Sequence, residues 1–199
     1  MRKNVIEWFI AIVIGISIAW IATTFIFSKY HVNGDSMYPT FKNNDRLLIN
    51  KFSISMDSFS RGDVIVFHAT KDKDYIKRLI GMPGDKVRYK IDRLYINNHY
   101  VKEPYLNYNK QHKIGNQLTE DFDTADIEHA KQQQTIPKGK YLVLGDNRAI
   151  SKDSRSSLGL IEKDDIVGKV AMRYAPLDRL DFGFYADSFD KINKISAIE

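Results

Sequence analysis

The sequence predicts a mainly β protein: an antiparallel β-sheet or partly closed barrel, with one N-terminal transmembrane helix and a small inserted flap. Three observations lead there. Residues 8–28 run for 21 positions without a charge. Beyond them the apolar residues fall into short alternating segments separated by turn formers, the two-residue period of strands with one face buried. No later stretch carries the apolar spacing of a long amphipathic helix, and many short strands without such helices argue for an antiparallel domain.

The uncharged run comes first. At 1.5 Å per residue it would span roughly 31 Å as a helix, close to the hydrocarbon thickness of a bilayer. Trp8 near one end and Tyr30 past the other suit the interfacial belts. Arg2 and Lys3 ahead of the run assign residues 1–7 to the cytoplasm and the rest of the chain to the outside. Lys29 weakens that asymmetry without reversing it. A cleaved leader would have a shorter apolar core and a small-x-small exit, whereas Phe25, Ile26 and Phe27 close this run. A buried core helix rarely stays uncharged for so long. A single retained anchor at 8–28 is the expectation.

Strands are expected at 46–49, 63–67, 75–80, 86–89, 93–96, 140–144 and 166–174, with turns at 43–45, 61–63, 83–85, 97–98 and 137–139. They assign residues 29–102 and 136–199 to one β domain. Between 103 and 135 the pattern lapses into polar sequence rich in Asn and Gln, with scattered Leu106, Leu118 and Phe122. This stretch reads as an inserted flap or subdomain. Near the end, Phe182, Phe184 and Tyr185 are expected on the core or on a membrane surface.

Composition removes several classes of function. The chain has no cysteine, hence no disulfide framework, no thiolate nucleophile and no Cys-based metal site. Its net charge of +5 is spread out, without a Lys/Arg block or an aromatic-interleaved basic stripe. That argues against nucleic acid as a partner and suits an anionic membrane surface better. The five histidines show no HExxH or other ligand spacing, so neither a metal nor another cofactor is expected.

Three segments carry candidate chemistry. Ser36 lies between Gly34 and Pro39, just past the anchor; Pro39 lacks a donor and biases Tyr38 toward an extended backbone, so Ser36 belongs to a turn. Alone it is a serine bonding its own turn. In the strand at 75–80, Tyr75, Lys77 and Leu79 share one face while Ile76, Arg78 and Ile80 share the other. Both faces are mostly apolar, which sets at least one cation in poor solvation unless it snorkels to water. Arg keeps its charge anywhere, whereas a desolvated Lys loses its proton more easily. A neutral amine can take the proton of a serine hydroxyl attacking a carbonyl, provided its pKa falls from about 10.4 toward about 7–8. The third segment, 145–155, is a polar loop after a strand; its bland reading is a loop braced by Asp–Arg pairs, and a calcium loop would want a more regular ligand spacing.

Together these segments resemble the type I signal peptidases, closest to the short, single-anchor Gram-positive form. Four boxes occur in the family's order: Ser36-Met37-x-Pro39-Thr40; Arg61-Gly62-Asp63-Val64-Ile65-Val66-Phe67; Tyr75-Ile76-Lys77-Arg78-x-Ile80-Gly81-x-Pro83-Gly84-Asp85; and Gly145-Asp146-Asn147-Arg148-x-x-Ser151-x-Asp153-Ser154-Arg155. Any one is weak; four in order are specific. The resemblance implies a membrane-bound serine endopeptidase that removes signal peptides from exported preproteins, with Ser36 as nucleophile and Lys77 as general base. It implies that Ser151 hydrogen-bonds the Lys77 amine, and that Asp146, Arg78, Asp153 and Arg155 brace the site. Some relatives carry a serine two residues before the nucleophile as a second oxyanion donor; Gly34 stands here, so that hydroxyl is missing. Phe41 and Leu158 also depart from the usual residues. The implied substrate has small residues at the first and third positions before the cut. An extended segment would add to strand edges near His31-Val32 and 74–76, its side chains entering shallow pockets lined by Tyr30, Val32, Met37 and Ile76.

Two other readings compete. Ser36, His68 and Asp146 could form a Ser-His-Asp set, which leaves Lys77 unused. The chain could also be a tethered binding protein that captures exported chains, against which the presence of both Ser36 and Lys77 argues.

Overall fold

The computed structural model describes residues 2–56, 58–130 and 132–196, and inside the helices the side chains at 2–5, 21–23, 25 and 55 lie outside that description. The chain opens with α1 (Arg2–Phe25), followed by β1 (Phe27–His31), β2 (Arg46–Asn50), the short α2 (Phe52–Ser55), β3 (Val64–Thr70) and β4 (Lys73–Gly81). The strands β5 (Val87–Lys90), β6 (Arg93–Ile96) and β7 (His99–Val101) come next, then α3 (Asn107–Gln111) and β8 (Phe122–Asp123). The last third holds β9 (Lys140–Leu144), β10 (Ile161–Glu162), β11 (Ile166–Ala175), β12 (Asp181–Phe182) and α4 (Asp190–Ser196).

The larger sheet has the order β1-β2-β11-β3-β4-β9-β10, with β12 paired to β11, and every pairing is antiparallel. The smaller sheet has the order β7-β6-β5-β8. The expected antiparallel β class is therefore present, but the barrel is not. The larger sheet stays open between β1 and β10, since β10 is only two residues long and offers β1 no ladder. β5, β6 and β7 form the smaller sheet, in which β5 also pairs with β8 from inside the 103–135 stretch.

At the N-terminus the apolar run divides. Among the described residues, which in α1 include the side chains at 6–20 and 24, no helix is long and apolar enough to cross a membrane. The expected anchor positions 21–23 and 25 lie outside the described side chains. The helix ends at Phe25, and Phe27 and Ser28, assigned above to the anchor, pair instead with Asn50 and Ile49 of β2. The backbone amides and carbonyls of a strand take sheet partners, so the first polar ladder ends the helix there.

β3 explains how the sheet is held. Its run Val64-Ile65-Val66-Phe67 is buried throughout because the sheet is covered on both faces. Val64 and Val66 point into a cluster with Phe41, Leu47 and Phe184, while Ile65 and Phe67 point into another with Phe59, Leu79 and Val143. A third cluster (Ile80, Tyr89, Leu144, Phe189 and neighbours) joins the two sheets and the C-terminal segment. Of the three late aromatic residues, Phe184 enters this interior, Tyr185 is half-buried and Phe182 is exposed.

The C-terminal segment is tied in by a buried pair. Arg61 grips Asp85 with two bonds of 2.6 Å and donates to Asn193 Oδ1 of α4 at 3.0 Å. Removing the guanidinium strands a buried carboxylate, whereas removing Asn193 costs ordinary hydrogen bonds. Arg61→Ala is therefore expected to lower unfolding free energy by about 3–5 kcal/mol, and Asn193→Ala by only about 1 kcal/mol, in urea titrations of the full chain in detergent. Equal, small losses would contradict this account of the C-terminal clamp.

Candidate active site

Ser36 sits in the turn linking β1 to β2. Tyr38 N–H donates to Asp35 O (3.0 Å), Phe41 N–H to Met37 O (3.0 Å), and Asn147 N–H to Ser36 O (3.0 Å), which joins the turn to the 145–155 loop. Gly34 opens the turn at φ +87°, a left-handed conformation that glycine adopts without steric cost. Its N–H donates to Asn43 Oδ1 at 2.8 Å.

β4 delivers Lys77 to this turn. Lys77 lies opposite Ile65 of β3 and between Tyr75 and Leu79 on the same face, an apolar surround that leaves it 3 % exposed. Its Nζ is 2.6 Å from Ser36 Oγ and donates to Ile76 O at 3.0 Å, with the Tyr75 ring centroid 5.2 Å away. Burial lowers its pKa from 10.5 to about 8, against the opposing pull of Asp153 and Asp146.

Each of those carboxylates is held by an arginine. Arg78 grips Asp146 with bonds of 2.9 and 2.7 Å and donates to Gly62 O and Phe184 O, while Thr40 donates to Asp146 Oδ2 at 2.6 Å. Asp153 takes two bonds of 2.9 Å from Arg155 and one from Gly145 N–H. Burial pushes the Asp153 carboxyl up, but those donors outweigh it and hold it below its ordinary value. Asp146, Arg78, Asp153 and Arg155 thus meet around the Ser36–Lys77 contact.

Two expectations fare differently. The hydrogen bond from Ser151 to the Lys77 amine is absent: Lys77 is occupied by Ser36 and by Ile76 O, and the buried Ser151 hydroxyl acts on Asp153, whose carboxyl it helps to hold down. Of the four pocket residues, Tyr30 and Ile76 line a cleft of about 880 Å³ that also exposes Ser36 and Lys77. Val32 and Met37 are each 1 % exposed and belong to the core beneath it. The Ser36-His68-Asp146 alternative is not assembled, because His68 Nδ1 faces Asp74 Oδ1 at 2.6 Å and Asp146 is taken by Arg78 and Thr40.

Of the other residues that build the site, Asn109 carried no sequence signal, and Asn147 and Arg148 stood in the fourth box with no role assigned. Asn109 of α3 donates from Nδ2 to both Tyr38 O and Asp146 O at 2.8 Å, so the polar insertion braces the serine turn. Asn147 adds a bond to Asp35 O. Arg148 is buried against Glu103, at 2.7 Å, and against Tyr89. A polar side chain tens of residues away in sequence leaves no periodic trace. Among the described residues no cluster of His, Cys, Asp and Glu could hold a metal ion.

The family model described as "Signal peptidase, peptidase S26" matches residues 5–175. The chain belongs to this family. Signal peptidase IB of Staphylococcus aureus (strain MRSA252) is 47% identical over 185 residues, covering 92% of this chain and 96% of its own. Signal peptidase I P of Bacillus subtilis subsp. natto is 43% identical over 182 residues, covering 90% and 93%. A crystal structure of a signal peptidase I from Enterococcus faecalis V583 aligns with a TM-score of 0.52 at 39% identity, covering 56% of this chain and 95% of the other. This chain is accordingly a serine-type signal peptidase.

The tightest packing in this peptidase's site is at Gly145. A Cβ there would stand 2.5 Å from Ser36 O and 2.1 Å from Ser151 Oγ. Gly145→Ala is expected to move the 145–155 loop off the serine turn and to lower kcat at least about 100-fold, the scale of a displaced catalytic geometry. Cleavage kinetics check this, and activity within threefold of wild type would show that the turn does not depend on that contact.

Proposed function

We propose that this peptidase removes signal peptides from exported preproteins, with Ser36 as nucleophile and Lys77 as general base. The observation that carries the reading is the 2.6 Å contact between Ser36 Oγ and an Nζ almost closed to water. Neutral Lys77 takes the Oγ proton as Ser36 attacks the carbonyl carbon of the scissile bond, and returns it to the leaving amine. Water then attacks the acyl-enzyme, with Lys77 accepting its proton and Ser36 recovering one as it leaves. The Ser36 N–H is one donor to the oxyanion; Gly34 offers no hydroxyl, and its N–H is already engaged by Asn43.

The substrate's approach follows from the sheet. β9 covers β4 only from Arg78 to Gly81, so the 73–77 half keeps an open edge toward the cleft, and β1 is an edge strand. Tyr30 of β1 reaches across and donates to Asp74 O at 3.1 Å, closing one end. An extended chain adding to these edges places alternate side chains against Tyr30 and Ile76, with Val32 and Met37 as the floor beneath. Such shallow space favours small residues before the cut.

We read the uncharged run at 8–28 as the membrane anchor, shortened to end where α1 ends. Its exposed apolar side chains, Trp8 and Trp20 among them, support this, and Arg2 and Lys3 favour a cytoplasmic N-terminus. The β domain then lies outside the membrane, where exported chains emerge, and sharing one bilayer raises the effective concentration of enzyme and substrate. The scattered positive charge matches an anionic membrane surface, and nothing in it is built for nucleic acid.

Incubation of the full chain in detergent with a preprotein is expected to yield a mature fragment. Ser36→Ala should abolish it, and Lys77→Met should reduce it at least about 100- to 10,000-fold, the scale of a lost general base. Retained cleavage in both variants would refute the dyad. For wild type, kcat/KM should rise about tenfold per pH unit below about 8, where the amine is protonated, and level off above. A flat profile from pH 6 to 9 would contradict the neutral-amine mechanism.

The same pKa sets a stability cost. The unfolded chain binds the Lys77 proton more tightly, so burial destabilises the fold by roughly 3 kcal/mol below pH 8, and that cost shrinks between pH 8 and 10.5. Lys77→Met should therefore be at least as stable as wild type at pH 7, with its advantage fading toward pH 10. A lower melting temperature for the variant at pH 7 would contradict the desolvation argument.

A further inference from the structure

A second cleft of about 530 Å³ adjoins the first; Asp35 and Ile150 border both. Ser36 and Lys77 open only onto the first. The remaining walls of the second are Tyr38, Lys42, Asn43 and Asn147, all from the serine turn or from the loop bonded to it. A polypeptide cut at Ser36 must continue past the serine on the side away from the β1–β4 edges, and this cleft is the continuation available to it.

The charges there are arranged in order of distance along the turn. Asp35, next to the serine, accepts the Asn43 N–H at 3.2 Å. Lys42, at the far end, is exposed and makes no ion pair among the described residues; its ammonium stands 5.7 Å from the centroid of the Tyr38 ring. That ring is in turn fixed edge-on against Tyr108, with centroids 5.4 Å apart. The cation is therefore held over an aromatic wall with its outer side open, a ready partner for a carboxylate.

We infer that the second cleft binds the first residues of the mature chain, and that Lys42 selects an acidic side chain at the second or third position after the cut. This rests on the reading of Ser36 as the nucleophile. At the first position the Asp35 carboxylate opposes an acidic side chain, so the preference is positional and not a general attraction to acid. Basic side chains at the second or third position would meet Lys42 and be disfavoured there.

The test uses the full chain in detergent with quenched fluorescent peptides identical before the scissile bond, carrying Asp or Lys in turn at the first, second and third positions after it. Wild type should cleave the Asp peptide about three- to fivefold faster in kcat/KM than the Lys peptide at position two or three, the size of one exposed ion pair. The order should reverse at position one. In Lys42→Glu the preference at positions two and three should invert, and added salt should shrink it in both proteins. An Asp-to-Lys ratio unchanged by Lys42→Glu, with cleavage still abolished by Ser36→Ala, would overturn this inference alone. Cleavage that survives Ser36→Ala, or no cleavage of any peptide, would take down the nucleophile assignment and this inference with it.

Discussion

The structure depends on keeping one amine out of water, so that it loses its proton more easily than an exposed lysine. Lys77 stands on an apolar strand face, and burial alone would lower its pKa further than about 8. Asp146 and Asp153 oppose that shift by favouring the charged amine. Arg78 and Arg155 pair with these carboxylates at close range, and opposite charges so near offset part of that pull. The ion pairs around the site therefore act on the protonation of a group they do not touch, in addition to bracing the loop. Their own net contribution to stability is small or unfavourable, as for buried pairs generally.

The scaffold supplies the second requirement, which is that the serine turn cannot drift from the strand that carries the amine. The turn is held by backbone bonds from Asn147, by Thr40 on Asp146, and by Asn109 from the smaller sheet's side of the molecule. The C-terminal segment closes the other side, with Phe184 O accepting from Arg78 and Asn193 bonded to Arg61. Segments far apart in sequence thus converge on a contact between two side chains.

How much of this could be read from the chain depended on how local each signal was. The strands at 93–96 and 140–144 were legible to the residue because alternation and flanking turn formers bounded them. β1 was not, because Phe27 and Ser28 continue an uncharged run and only their pairing with β2 reveals a strand. The smaller sheet was missed because β8 is two residues long and its partners alternate like any other strands. Ser36, Lys77 and the Asp–Arg loop were legible through four motifs in order, and the structure brings those segments together. Ser151 was not legible in its detail: whether its hydroxyl reaches the amine depends on rotamers and on the Ile76 carbonyl, which no spacing encodes. Val32 and Met37 were placed on the cleft wall with the substrate's expected path, and nearness to the serine in sequence does not give the depth at which a side chain lies.

The most direct test is titration of the Lys77 amine itself. With selectively labelled lysine Cε, the full chain in detergent should show one resonance, missing in Lys77→Arg, that titrates with a midpoint near 8. A Lys77 midpoint at or above 10 would leave no more than about one amine in a thousand neutral at pH 7, against about one in ten for a midpoint near 8, and the account of a serine activated by a neutral lysine would fail.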